Sequence, residues 1–159
     1  MISAIHESPI GPLTLVSDGT ALTHCEFENP RYPFEAAPPG EDAIIAEARR
    51  QLDAYFAGKL RAFDLPLAPR GTPFQQRVWA ELVKIPYGVT RSYGALAAAL
   101  GAPKAPRAVG LANGRNPIAI IVPCHRVIGA DGSLTGYGGG MARKRLLLDL
   151  EQGGAPVRC

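Results

Sequence analysis

Residues 92–114 read SYGALAAALGAPKAPRAVGLANG and contain two short helical patterns separated by a turn. The first pattern begins at Ser92, a residue type that caps helices, and the second begins near Pro106, because proline fits the first turn of a helix. A turn of four residues, 101–104, separates them. This arrangement is typical of a helix-turn-helix, although a plain helical hairpin has the same spacing.

The second of these helices carries one long cation, Arg107, and otherwise mostly small side chains such as Ala108 and Gly110. A glycine inside a helix costs about 1 kcal/mol relative to alanine. Small side chains also gain little from packing. The composition therefore favours close approach to another surface, such as a nucleic-acid groove, with loose packing as the alternative.

Downstream, residues 116–128 read NPIAIIVPCHRVI, and their apolar run at 118–122 predicts a buried strand that ends at Cys124. A thiol is nucleophilic as the thiolate, and positive charge or a histidine beside it lowers its pKa. His125 and Arg126 are adjacent in sequence. In an extended strand neighbours point to opposite faces, so His125 reaches Cys124 only if the chain turns or a water relays the proton. A buried inert cysteine is the alternative.

Upstream, the sequence predicts mixed α and β structure. Residues 9–28 form two apolar runs around the turn at 17–19, which predicts a hairpin, and residues 41–60 have helical spacing. Residues 63–67 predict a last strand. A further helix is predicted to begin at Thr72 and Pro73. We therefore expect an α+β lobe over residues 1–67, a linker over 68–71 and a helical lobe over 72–159.

Charge is divided unevenly between these parts. Residues 1–65 contain 5 Lys and Arg against 10 Asp and Glu, whereas residues 66–159 contain 12 against 4. A basic C-terminal part favours an anionic partner, nucleic acid first, with an uneven solvated surface as the alternative.

Three cysteines without a CxxC pair, Cys25, Cys124 and Cys159, do not form a disulfide framework and favour a reducing, cytoplasmic compartment. The first residues do not follow the pattern of a secretion signal, and no run of about 18 apolar residues occurs. The sequence therefore predicts no membrane partner.

The segment NPIAIIVPCHRVIGADGSLTGYGGG, residues 116–140, resembles the active-site segment of the O6-alkylguanine-DNA alkyltransferases. RAVGLANGRNP upstream and GYGGGMARKRLLLDLE downstream follow in the family's order and spacing. Weaker similarity in SPIGPLTL, AYFAGKL and GTPFQQRVWAELVKIPYG extends the resemblance over most of residues 8–151. It implies an α+β fold with an RNase H-like N-terminal lobe and a helical, winged-helix-like C-terminal lobe that carries a helix-turn-helix.

The resemblance also implies the reaction, which is DNA repair by a single transfer of an alkyl group to Cys124. The substrate would be O6-alkylguanine in duplex DNA, with O4-alkylthymine as a second candidate, after the base is flipped from the minor groove. No cofactor is implied, and we expect a monomer in which each molecule acts once.

By matching positions, the resemblance assigns catalytic roles to four residues besides Cys124. His125 would deprotonate Cys124 through a water, and Glu151 would orient His125. Asn116 would stabilise the turn around the cysteine. Tyr93 would press on the phosphate beside the flipped base and assist protonation of the departing guanine.

The same resemblance gives Arg107 the role of replacing the flipped base in the stack, and adds Tyr93 and Asn113 to the DNA contacts. The minor groove is about 6 Å wide and ordinarily excludes a helix, which gives the small Ala108 and Gly110 a physical purpose. Ordinary surface or packing roles are the alternatives for these side chains.

The substrate pocket implied by the resemblance has five members, namely Val127, Tyr137, Gly138, Gly139 and Lys144. Some members of the family bind zinc in the N-terminal lobe. Here that lobe offers His6, His24 and Cys25, one ligand short of a four-ligand site, so we expect no structural metal.

Two other classes remain open from the residues alone. A helix-turn-helix protein that binds DNA without catalysing a reaction would need polar side chains that contact the bases. The second helix has few such side chains. A cysteine hydrolase would act on many substrate molecules in succession and would not require a basic helical lobe.

Overall fold

A three-stranded antiparallel sheet begins the fold of the computed structural model, which describes residues 1–28, 30, 34, 37–132, 137 and 140–153. Its strands are β1 (Ile2–Ser8), β2 (Gly11–Ser17) and β3 (Leu22–Phe27), in the order β1-β2-β3. The predicted hairpin is confirmed as β2 and β3, and the Asp18 carboxylate accepts hydrogen bonds from two backbone amides in its turn. Strand β1 lies before the predicted hairpin and was not predicted.

Helix α1 (Ala43–Phe56) packs on this sheet, as expected, and Asp42 caps its first turn. The strand predicted at 63–67 is wrong: Leu67 makes one isolated bridge with Leu22, and no ladder forms. The ladder is absent because the Gln51 side chain occupies the backbone there. Its amide makes two hydrogen bonds of 2.8 Å, one with the N–H and one with the C=O of Asp64. A side chain thus satisfies the groups that a neighbouring strand would otherwise pair.

Three helices follow, α2 (Pro73–Val83), α3 (Tyr93–Ala99) and α4 (Pro106–Gly114). Helix α2 begins at the predicted Thr72 and Pro73, and a capping box between Thr72 and Gln75 closes its first turn. The indole N–H of Trp79 donates to the Ala112 carbonyl at 2.9 Å and ties α2 to α4. Helices α3 and α4 begin and end close to the predicted residues, because capping and turn signals are local.

The segment 118–122 is buried, as expected, but it is not the predicted strand. Ile118 makes one bridge with Cys25 of β3, and the chain then turns through Ile120, which has a positive φ of 72°. Apart from its bonds to Cys25, the backbone of this turn bonds to itself and to the Asn116 side chain instead of continuing along β3.

The C-terminal part is completed by the short parallel pair β4 (Arg91–Ser92) and β5 (Val127–Ile128) and by helix α5 (Met141–Glu151). One apolar core extends from the sheet and α1 to the helices. Among the described residues, no helix has the length and apolar character needed to cross a membrane.

Candidate active site

Cys124 begins a single turn of 3-10 helix, Cys124–Arg126, and is 6% exposed. The chain therefore turns at this point, as a contact between Cys124 and its neighbours requires. The Asn116 amide donates to the Val122 carbonyl at 2.8 Å and accepts from the Ile118 N–H at 3.0 Å. These bonds hold the turn that delivers Cys124, which is the place the sequence assigned to Asn116.

Glu151, the last residue of α5, lies at the centre of a buried polar cluster. Its Oε2 lies 2.8 Å from His125 Nε2, 3.0 Å from Arg126 Nη2 and 2.5 Å from the Tyr55 hydroxyl, and its Oε1 lies 2.7 Å from Arg126 Nε. Arg126 also donates to the Ile85 carbonyl at 2.7 Å. The structure thus brings Glu151 and His125 together as the sequence predicted.

Protonation in this cluster follows from its contacts. Burial raises the pKa of Glu151, but hydrogen bonds from His125 and Arg126 outweigh it and hold the pKa at about 2. Burial lowers the pKa of His125, although Glu151 opposes that effect. Glu151 is therefore charged and His125 neutral, with the imidazole proton on Nε2 facing the carboxylate. Its Nδ1 is buried and has no hydrogen-bond partner among the described residues.

The Cys124 thiol is protonated at rest. Burial raises its pKa to about 11, while a hydrogen bond with Asn116 and the charge of Lys144 act in the opposite direction. Arg126, expected beside the thiol from the sequence, is instead committed to Glu151. Reaction of Cys124 therefore needs a base, and Lys144 is the cation that favours its thiolate.

The implied substrate pocket is partly described. Lys144 is fully buried and donates from Nζ to the carbonyl of Val127 at 2.6 Å, and burial lowers its pKa. Tyr137 packs its ring edge-on to Phe27 with centroids 6.0 Å apart, and its buried hydroxyl has no partner among the described residues. The two other predicted members, Gly138 and Gly139, lie outside the described residues.

The exposed face of α4 presents the residues expected at DNA. Arg107 and Ala108 are exposed, and Leu111, which the sequence analysis did not single out, is 64% exposed. A Cβ added at Gly110 would lie 3.7 Å from the half-buried Tyr93 ring, an ordinary contact distance. Packing inside the protein therefore does not require glycine at position 110.

Several polar residues lie on the interior side instead. Asn113 is buried, and its amide points towards the Cys124 carbonyl at 3.4 Å. Arg126 and Lys144 are also buried, so these two cations of the basic C-terminal part do not face an external partner. On α5, Leu147 and Leu150 are buried whereas Leu146 is exposed, because they lie on different faces of the helix.

Tyr55 is the cluster residue that sequence reasoning missed. It lies 96 residues before Glu151, within the quoted AYFAGKL segment, and no spacing rule links positions so far apart. Cys25 was left without a role. Its backbone pairs with Pro117 and Ala119 at the turn before Cys124, and burial raises the pKa of its thiol far above the usual range.

The N-terminal histidines have partners other than a metal. His6 lies 2.8 Å from Asp53, and His24 stacks on Phe34 with ring centroids 4.4 Å apart. Over the residues described, no three His, Cys, Asp or Glu side chains are placed to hold a metal ion.

Comparison with known proteins gives two family matches. Residues 1–69 match the 6-O-methylguanine DNA methyltransferase ribonuclease-like domain, and residues 73–153 match the DNA binding domain of the same family. A methylated-DNA–protein-cysteine methyltransferase of Mycobacterium tuberculosis is 59% identical over 152 residues, covering 95% of this chain and 92% of its own. The Methanosarcina acetivorans protein of the same name is 55% identical over 153 residues, covering 95% of this chain and 98% of its own.

A solved structure gives the same result for the fold. The crystal structure of Mycobacterium tuberculosis OGT in complex with DNA superposes with a TM-score of 0.91 at 56% identity. The match covers 98% of this chain and 96% of that one. An RNase H-like lobe followed by a helical DNA-binding lobe is therefore the fold of this chain.

Proposed function

Because the chain belongs to the 6-O-methylguanine DNA methyltransferase family, and so repairs DNA by direct alkyl transfer to a cysteine, we propose that Cys124 is the acceptor. The observation that supports this is the orientation of His125, the residue after Cys124: Glu151 holds its Nε2, and its Nδ1 has no hydrogen-bond partner among the described residues and so can accept a proton. Cys25, the other described cysteine, is fully buried, and Glu26 and burial both disfavour its thiolate.

The chemical step begins with proton transfer. His125 takes the thiol proton at Nδ1 through a water, and the Glu151 carboxylate stabilises the resulting imidazolium. The Cys124 thiolate then attacks the alkyl carbon on guanine O6, so that an S–C bond forms as the C–O bond breaks. Tyr93 supplies a proton to the departing guanine. The Tyr93 phenolate then regains a proton from solvent, and the His125 imidazolium releases one to solvent, so the charges balance. The product thioether is stable, and each molecule acts once without a cofactor.

DNA would meet the exposed face of α4. Arg107 would occupy the stack in place of the flipped base, and Tyr93 would press on the adjacent phosphate. Ala108 and Gly110 keep the helix slim enough for a widened minor groove. The buried Asn113 would act through the Cys124 backbone rather than through a base.

The flipped base, O6-alkylguanine or O4-alkylthymine, would enter a pocket that includes Val127, Tyr137 and Lys144, to which the resemblance adds Gly138 and Gly139. Two polar groups support this: the Tyr137 hydroxyl, which is buried without a partner among the described residues, and the buried Lys144 ammonium, which donates to the Val127 carbonyl. We propose that the protein acts as a monomer in the reducing compartment that holds the DNA, the cytoplasm.

Mass spectrometry tests the acceptor. We expect incubation with a duplex containing O6-methylguanine to add one CH₂ group to the Cys124 peptide. Cys124→Ser should still bind the duplex but gain no mass, whereas Cys25→Ala should be modified like the unchanged protein. Turnover on excess substrate, or methylation of Cys124→Ser, would contradict the proposal and favour a hydrolase or a second acceptor.

A further inference from the structure

Tyr55 brings the N-terminal lobe into the reactive centre. It lies on α1, and its hydroxyl donates to Glu151 Oε2 at 2.5 Å. Its ring is held from three sides by Phe56, Phe63 and Tyr87, with centroids 5.3, 5.3 and 6.2 Å away. The hydroxyl therefore has little freedom to move, and it fixes the carboxylate oxygen that it contacts.

That oxygen also receives His125 Nε2 and Arg126 Nη2, so three donors share one atom. Each donor takes part of the negative charge of Oε2. Burial and the Glu151 charge raise the pKa of Tyr55 far above its usual range, so the phenol stays protonated and acts as a donor. Without the phenol, more of the carboxylate charge would act on His125.

We propose that Tyr55 is a positioning residue for alkyl transfer, which fixes the Glu151 carboxylate and limits the charge that reaches His125, so that His125 remains a neutral base. The inference rests on the proposed function of Cys124 and His125. It assigns the N-terminal lobe a part in the chemistry, because α1 supplies the donor. Tyr55 acts through Glu151 and not on the substrate itself.

Other charged and titratable groups lie near the Glu151–His125 pair. They are Tyr87 on a loop, with Arg61 stacked over its ring, Cys124 and Arg126 on the 3-10 turn, and Lys144 on α5. The positive charges of Arg126 and Lys144 lower the pKa of His125, as its burial does. The Tyr55 dipole acts in the same direction as these cations, so its removal should raise that pKa.

Tyr55→Phe is the decisive variant, because phenylalanine keeps the ring packing and deletes the donor. Tyr87→Phe is the matched control: its hydroxyl lies 3.4 Å from the Leu150 carbonyl and makes no described contact with the carboxylate. We expect nitrogen NMR of His125 to show its pKa raised by about one unit in Tyr55→Phe and unchanged in Tyr87→Phe.

The transfer rate gives the second readout. The acid limb of its pH profile, set by protonation of His125, should move upward by the same amount in Tyr55→Phe, so that the rate at a given pH on that limb falls by up to about tenfold. Tyr87→Phe should reproduce the unchanged profile. If Cys124 were not the acceptor, the NMR shift would persist while the Cys124 peptide stayed unmodified, which separates the two proposals.

A third variant guards against loss of folding. Tyr55→3-fluorotyrosine keeps the hydroxyl and makes it a stronger donor, so the pKa of His125 should move downward. A folded Tyr55→Phe with an unchanged His125 titration would overturn the inference. So would a fluorotyrosine variant that shifts the titration upward or not at all.

Discussion

The buried cluster around Glu151 and the exposed face of α4 are built in opposite ways. The cluster joins Tyr55, His125, Arg126 and Glu151, which come from three separate parts of the chain and are shielded from water. The face of α4 presents side chains from one continuous helix to solvent. The proposed reactive centre therefore depends on the whole fold, whereas the proposed DNA face depends on one local segment.

This difference predicts how each region responds to substitution. Removing one member of the buried cluster leaves a charge or a donor without its partner in a medium of low dielectric constant, so stability and chemistry should fall together. Changing an exposed residue of α4 should alter duplex binding and leave folding intact. Three variants, described below, test that separation.

Glu151→Gln should have the largest effect. It leaves the buried Arg126 guanidinium without its counter-charge, and we expect the free energy of unfolding to fall by about 3 kcal/mol at neutral pH. Denaturant unfolding monitored by circular dichroism measures this change. Transfer to Cys124 should fall with it, because His125 loses the carboxylate that stabilises its charged form.

The difference in unfolding free energy between the unchanged protein and Glu151→Gln should depend on pH with a definite sign. The pKa of Glu151 is lowered from 4.5 to about 2, so its stabilising contribution is complete above pH 4.5 and is lost as pH falls towards 2. The gap in unfolding free energy between the unchanged protein and Glu151→Gln should therefore close over this range. A gap that stays constant down to pH 2 would show that the carboxylate charge does not stabilise the fold.

Arg107→Ala should have an intermediate effect confined to binding. We expect duplex affinity to fall about tenfold and the slope of binding against salt concentration to become shallower. The unfolding free energy should not change. Arg50→Ala removes the same charge from α1, where Arg50 pairs with Glu47, and should leave DNA binding unaltered. Fluorescence anisotropy with a labelled duplex distinguishes the two variants; equal losses would show that only net charge matters.

Gly110→Ala should have the smallest effect. It should raise the stability of the protein and lower its affinity for duplex DNA. The added Cβ meets only an ordinary contact with the Tyr93 ring, so helix propensity should stabilise the protein by up to about 1 kcal/mol. Duplex affinity should nevertheless fall about threefold, because the methyl group thickens the helix where it would enter the groove. Thermal unfolding and anisotropy on the same sample measure both, and unaltered affinity would argue against close approach at this position.

Local signals predicted the helices of the C-terminal part well. Thr72, Ser92 and Pro106 mark helix starts through contacts within one turn, and the structure begins α2, α3 and α4 at or beside them. The strands predicted at 63–67 and 118–122 fail for a shared reason. In both places a side-chain amide, from Gln51 or Asn116, bonds to the backbone that a strand partner would otherwise pair.

The sequence by itself determined the reactive segment, the capped helices and the division of charge, because each is read from neighbouring residues. Tertiary structure alone decided which charges are exposed: Arg107 faces solvent, whereas Arg126 and Lys144 are buried. It also decided that Tyr55 meets Glu151 across 96 residues. Such contacts follow from the packing of α1 against the C-terminal elements, and packing joins surfaces whose separation along the chain leaves no local signal.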